Sequence, residues 1–265
     1  MARLSQIIQV MWLVVAIDDV LAFDHGAWDA LLRQTVVTQS EGEATSVDYS
    51  SLRGERSRLK AYLNSLSHVD QSSFEAWSKP EQLAFLINAY NAWTLELILT
   101  RYPDLESIKD LGGFFSSPWK KAFIPLFGGK HSLDDIEHGM IRQPGRYDDP
   151  RIHFAVNCAS IGCPALRPEA YTGGRLDEQL QQQAELFLAD MTRNRYTGDG
   201  FQVSSIFKWY REDFERGWLD IDSLTDFFLR YRASFGLTEA DAERLRQTKV
   251  RIKFLDYDWR LNDVP

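Results

Sequence analysis

The sequence predicts an α+β fold, mostly helical, in which a small antiparallel or mixed sheet accompanies a central buried helix. Three observations predict it. Apolar residues recur at spacings of three and four through the first third of the chain, as amphipathic helices require. One such run, Leu83 to Ile98, is apolar on all sides, as expected of a helix surrounded by core. Short alternating runs beside Gly-containing turns follow later and read as hairpins. No repeat, low-complexity tract or Pro/Ser-rich linker divides residues 23–265, so they are read as a single domain. With 44% hydrophobic and 13% aromatic residues, that domain can bury a sizeable core.

The first residues are read separately. Arg3 and the amino terminus form a positive region, Ile7 to Ile17 an apolar one, and Val20-Leu21-Ala22 a small-residue cleavage site. This is the layout of a signal peptide over residues 1–22, with Phe23 starting the mature chain. The apolar run is short of the roughly 20 residues that span a bilayer, and no later segment approaches that length. The expectation is an exported protein, periplasmic or secreted, with no integral membrane span in its mature chain. Losing Arg3, Asp18 and Asp19 takes the formal charge from −8 to −7. An acidic chain of this kind is not expected to bind nucleic acid.

Ala27 to Val37 reads as a first helix, with Trp28, Leu31 and Leu32 on one side. Ser50 to Leu66 reads as a second, carrying Leu52, Leu59, Tyr62, Leu63 and Leu66. Ser78 caps a third, with Pro80 in its first turn and Glu81 at the reciprocal position. It runs to about Arg101, before Pro103. Asn88 and Asn91 lie three apart in this helix and share a face. Buried amides need partners, so they either tie neighbouring loops to the helix or line a site and orient a histidine or substrate.

Ala122 to Leu126 and Lys130 to Leu133 are expected to pair around Phe127-Gly128-Gly129. Ser132 then caps a helix through Asp135. In it, Glu137 and His138 are consecutive and are not expected on one face. His138, three and four residues from Asp135 and Asp134, can have its tautomer fixed by a carboxylate or form an ordinary ion pair. Further on come a turn at Tyr171 to Gly174, a helix from Leu176 to Asp190, and a hairpin around Thr197-Gly198-Asp199-Gly200. Helices are expected over Ile206–Phe214, Leu219–Ala233 and Glu239–Arg246, then a half-buried strand with Val250, Ile252, Phe254 and Tyr257. Trp209-Tyr210 and Trp218 read as core, and Asp256 and Asp258 as solvated strand residues.

The segment Arg151 to Pro164 holds both cysteines, Cys158 and Cys163, and one of the five histidines, His153. Its apolar start reads as a buried strand and its Gly/Pro end as a polar loop. Export favours a disulfide between Cys158 and Cys163, with Gly162 allowing the turn. Four chemistries remain open for this loop. The first is structural, a bridge or two packed cysteines. The second is thiol hydrolysis or acyl transfer, with Cys158 as nucleophile, His138 as base and Asp134, Asn88 or Asn91 orienting it. His138 is preferred to His153 because an unbroken strand would turn His153 and Cys158 to opposite faces. The third is a metal site from Cys158, Cys163, His138 and His153, at a spacing foreign to zinc fingers. The fourth is a redox pair, disfavoured by the absence of C-x-x-C spacing. No phosphate loop, G-x-S-x-G or H-E-x-x-H occurs, and no cofactor or resident metal is expected. Phe114, Phe115, Pro118 and Trp119 form an aromatic loop suited to binding.

Several blocks carry a family resemblance: Leu83 to Trp93 (LAFLINAYNAW), Phe115 to Lys120 (FSSPWK), Ser132 to Arg142 (SLDDIEHGMIR) and Asp149 to Pro164 (DPRIHFAVNCASIGCP). Tyr171 to Leu180, Ile206 to Phe214 (IFKWYREDF) and Leu255 to Trp259 (LDYDW) continue it. Together they resemble the domain of unknown function 547 family, in its bacterial, exported type, over nearly all of the mature chain. The resemblance implies no established reaction. It places weight on Cys158, His153 and Asn157, which with Ser160 and Trp119 are the candidate binding residues. The resulting expectation is a binding or structural envelope protein with the Cys158–Cys163 loop as its site region. Its partner would be a small molecule or another envelope protein. The alternative is a hydrolase or acyl transferase that uses Cys158 and His138.

Overall fold

In the computed structural model, residues 22–39, 42–113 and 116–265 are described. The expected leader, save Ala22, and the pair Phe114 and Phe115 lie outside them. Helix α1 (Gly26–Thr35) buries Trp28, Leu31 and Leu32. It ends before the two valines at 36 and 37, because β-branched residues favour extended backbone there. They open β1 (Val36–Gln39), which pairs antiparallel with β2 (Ala44–Val47). The helix expected over 50–66 is two helices, α2 (Tyr49–Gly54), capped by Asp48, and α3 (Arg56–Ser67). The break falls at Glu55, directly after Gly54, whose helix propensity is low. A short α4 (Gln71–Ala76), capped by Asp70, follows.

The next helix, α5 (Lys79–Leu99), is the axis of the molecule. Ser78 and Glu81 complete the expected capping box, with proline in the first turn. Every residue from Gln82 to Leu99 except Trp93 is buried. A helix without a polar face requires neighbours on all sides. They come from α3, from residues 135–141 and from the turn at 173–175, whose Gly173 lies so close to Glu81 that no Cβ would fit.

Strands β3 (Ile124–Leu126) and β4 (Gly129–His131) pair as expected. Phe127 and Gly128 between them both have positive φ, 52° and 73°, the requirement of a tight two-residue hairpin. Ser132 and Asp135 form a reciprocal cap. The helix beyond is wound as a π-helix over Asp135–Ile141, where Arg142 N–H reaches the Glu137 carbonyl five residues back at 2.9 Å.

The expected buried strand before the cysteines is a 3-10 helix, Pro150–Phe154. Pro150 presets its first turn, and the Asp149 side chain accepts the Arg151 amide hydrogen. Its residues are buried on all sides, so an apolar run carried no information about periodicity there. The strand argument that set His153 and Cys158 on opposite faces therefore falls.

Helix α6 (Leu176–Ala189) leads to β5 (Arg195–Tyr196) and β6 (Gly200–Val203). The helix expected over 206–214 is interrupted at Tyr210, giving α7 (Ile206–Trp209) and α8 (Arg211–Phe214). The one expected from Leu219 begins only at α9 (Leu224–Arg230), because Leu219 and Asp220 hold left-handed backbone and Ser223 caps later. Helix α10 (Glu239–Gln247) precedes β7 (Arg251–Phe254), which lies parallel to β6 while β5 lies antiparallel, so this sheet is mixed. The fold is thus α+β and mostly helical, with small separate sheets.

The interior has two apolar clusters. One surrounds α5. The other is built on Phe154, Phe187, Phe207, Phe214 and Phe227, each nearly inaccessible. Truncating any of these rings to alanine is expected to cost about 3–5 kcal/mol. Among the described residues no helix is long and apolar enough to cross a membrane.

A candidate ligand site between the two cores

The cysteine loop is braced from α5. Asn91 Nδ2 donates to the Ala155 carbonyl at 2.9 Å, and its Oδ1 accepts the Asn157 amide hydrogen at 2.8 Å. Asn88 does the same for Tyr171, with its Nδ2 donating to the carbonyl at 2.8 Å and its Oδ1 accepting from the amide at 3.0 Å. Both side chains are thereby spent on backbone, which is the loop-tying alternative, and neither hydrogen-bonds a histidine. Asn157 continues the brace. Its Oδ1 accepts from the Ala159 amide at 2.8 Å and its Nδ2 donates to the Pro164 carbonyl at 2.8 Å. Ala159 has a φ of 60°, unusual for a residue with a Cβ, and the Asn157 contact holds it there.

Cys158 and Cys163 are joined as a disulfide, their α-carbons 6.2 Å apart. Gly162 serves this loop differently from the expectation. Its φ is not positive; the C-terminal segment packs so closely that a Cβ would sit 3.0 Å from the backbone of Asp258. Gly162 donates to the Asp258 carbonyl at 2.9 Å and Ile161 to that of Arg260 at 2.9 Å. This docking carries Tyr257 and Trp259 to the bridge. The Tyr257 hydroxyl lies 3.2 Å from each sulfur, and burial pushes its pKa up. Ser160 is buried, with its Oγ 3.3 Å from Cys158 Sγ.

Beside the bridge is a cavity of about 180 Å³. Its walls combine both cores, with Tyr90 and Val156 from the first and Ile206, Tyr210 and Tyr257 from the second. Three indoles, Trp119, Trp209 and Trp259, line it together, the first two lying 5.6 and 5.7 Å from the third. Trp209 and Tyr210, expected as core, belong to this wall, and Trp209 is 46% exposed. Tyr210 does pack on the second core, as expected, while Trp209 turns outward. Cys158, Cys163, His138 and His153 also line the cavity.

His153 is buried, stacks on Tyr210 with ring centroids 4.0 Å apart, and places Nε2 2.7 Å from Asp213 Oδ2. Burial lowers its pKa, so it is neutral and its Nε2–H donates to the carboxylate. Burial works against ionisation of Asp213 too, but the hydrogen bonds from His153 and Arg142 hold its pKa well below the usual range. Nδ1 of His153 is then a bare acceptor, buried with no partner.

His138 is half-exposed, with Nε2 3.9 Å from Asp134 and Nδ1 in contact with the Arg142 guanidinium. Burial raises the pKa of Asp134. Glu137 is only 5% exposed, lines the same cavity, and its Oε1 has no hydrogen-bond partner. Asp134, Glu137 and His138 stand at positions i, i+3 and i+4, so both later residues flank the first. The expectation that neighbours 137 and 138 diverge overlooked that one cavity can span both directions. Among the described residues, no three His, Cys, Asp or Glu side chains converge to hold a metal ion.

The sequence pointed to Cys158, His138, His153 and Trp119, which the fold brings together. It pointed also to Asn88, Asn91 and Asn157, which the fold uses to position that loop. Glu137, Asp213, Tyr257 and Trp259 were missed, although the aromatic density of residues 255–259 was a visible signal. No curated protein and no solved structure matches the chain. A family model described as "Protein of unknown function, DUF547" matches residues 74–188, which include α5, the cysteine loop and most of α6, and over that stretch the chain is similar to that family.

Proposed function

We propose that this domain binds a small organic molecule in the cavity beside the Cys158–Cys163 bridge. The observation that carries the reading is the cavity itself, about 180 Å³ walled by three indoles and three phenols. A void of ~150 Å³ already admits benzene. An aromatic wall with a few converging polar groups is the usual character of a ligand site. A bridged pair leaves no thiolate, which favours binding over catalysis. The test is a ligand-observed NMR screen of small ring compounds against the native protein and Val156→Phe, which fills the cavity. Binding lost in the variant supports the reading, and binding unchanged by it refutes it.

A second reading has one observation in its favour, that Cys158 lines the same cavity as His138 and His153. On it, the reduced protein is a hydrolase or acyl transferase with Cys158 as nucleophile. Turnover of an activated ester that requires reductant and disappears in Cys158→Ser would support it. Export belongs to the proposal as well. The bridge suits an oxidising compartment, and Phe23 packs against Tyr62, Trp77 and Phe85, so a chain starting there keeps its anchor. Intact mass of the exported protein should begin at Phe23; a mass including Met1 would refute cleavage.

A further inference from the structure

The cavity contains two buried polar atoms that the protein leaves without partners, Oε1 of Glu137 and Nδ1 of His153. Both are acceptors, the first because a carboxylate only accepts, the second because Nε2 holds the imidazole proton for Asp213. Buried acceptors without donors are costly, a buried carboxylate above all. Two other buried carboxylates are answered by arginines, Asp213 by Arg142 at 2.6 Å and Asp190 by Arg193 at 2.5 Å. Among the described residues Glu137 has no ion pair, and no lysine or arginine lines the cavity.

We propose that the cavity takes a small organic cation, an amine or amidine that donates to Glu137 and His153 and lays its apolar body against the aromatic wall. This rests on the ligand-binding reading above and supplies its chemistry. Asp134 adds a second carboxylate to the lining, so a carboxylate or phosphate ligand is repelled. A neutral ligand without N–H or O–H groups leaves both acceptors unanswered, and a lone hydroxyl can answer only one of them. The ring faces of tyrosine and tryptophan attract cations. Two rings of this wall already carry one, Tyr210 with the Arg142 guanidinium at 4.6 Å and Trp259 with the Lys109 ammonium at 3.8 Å. Glu137 also faces the hydroxyls of Tyr90 and Tyr210, whose pKa values rise through burial first, then through the Glu137 charge and a hydrogen bond to its side chain, so the carboxylate is met by neutral phenols and by no cation.

The experiment uses three matched probes, benzylammonium, benzyl alcohol and benzoate, with dissociation constants read by ligand-observed NMR on the full-length protein. Benzylammonium is expected to bind at least about tenfold more tightly than benzyl alcohol, and benzoate more weakly than either. In Glu137→Gln the preference for the ammonium should vanish while benzyl alcohol still binds. Equal affinity for the three probes, with Val156→Phe abolishing all of them, overturns the cation preference and leaves the binding site standing. Absence of binding by any probe overturns the preference and counts against the site as well. If Glu137→Gln does not fold, the ranking of the three probes on the native protein decides alone.

Discussion

Nε2 of His153 lies 2.7 Å from Oδ2 of Asp213, sixty residues later in the chain, and Asp213 also accepts from Arg142 at 2.6 Å and Arg216 at 2.8 Å. One carboxylate thus ties the cysteine segment, the π-helix and α8 into one wall of the cavity. Asp213→Ala strands a buried imidazole and a guanidinium. It is predicted to lower unfolding free energy by about 3–5 kcal/mol. Urea denaturation checks this; a loss below about 1 kcal/mol would mean the cluster contributes little to holding the wall.

Acid should weaken the fold from near neutrality. His25 is buried with Nδ1 2.7 Å from the Tyr62 hydroxyl, and burial pushes its pKa from 6.5 down to about 4. His153 shifts the same way for the same reason. Below pH 6.5 the unfolded chain takes up protons that the native chain refuses, so stability is full above 6.5 and falls as pH drops, down to about 4 for His25. At about 1.4 kcal/mol per unit, His25 alone removes roughly 2 kcal/mol between pH 6.5 and 5. Unfolding curves at the two pH values measure it, and His25→Gln should flatten the slope. A native protein equally stable at both would contradict the burial argument.

Asn91 and Asn88 give a controlled comparison. Each side chain serves one buried N–H and one buried C=O, so alanine at either position leaves both unanswered, at about 2–4 kcal/mol. Only Asn91 holds the cysteine loop. Asn91→Ala is therefore predicted to shift the backbone resonances of Asn157 to Cys163, and Asn88→Ala those around Tyr171. Identical perturbation patterns from the two variants would show that the helix does not brace the loops separately.

The long helix α5, the caps and the two later hairpins were legible because their signals are local, whereas the hairpin of β1 and β2 and the short α4 were not read. Ser78 with Glu81, Ser132 with Asp135, and the Phe127-Gly128 turn all formed where their spacing put them. The 3-10 turn at Pro150–Phe154 was not legible, since residues buried on every side show no period. Nor was the wall formed by Trp209, Tyr257 and Trp259, because it depends on the C-terminal segment docking on Gly162 across almost a hundred residues. Asp213 was hidden for the same reason. Its partners lie in other segments, and nothing near it in sequence distinguishes it from a solvated helix residue.

The bridge makes a prediction about thiols. Alkylation of the native protein without reductant should label neither cysteine, and reduction should expose two. Closing so short a loop restricts the unfolded chain by only about 2 kcal/mol, so the Cys158→Ser, Cys163→Ser double variant should still fold. Two labelled thiols in the unreduced protein would contradict the bridge and favour the hydrolase reading.

The central claim is that the cavity between the two cores is a ligand site. Diffraction from crystals soaked in a mixture of small ring compounds tests it most directly. The account predicts bound density among Trp119, Trp209 and Trp259, beside the Cys158–Cys163 bridge. Compounds found only elsewhere on the protein, with that cavity vacant, would contradict it.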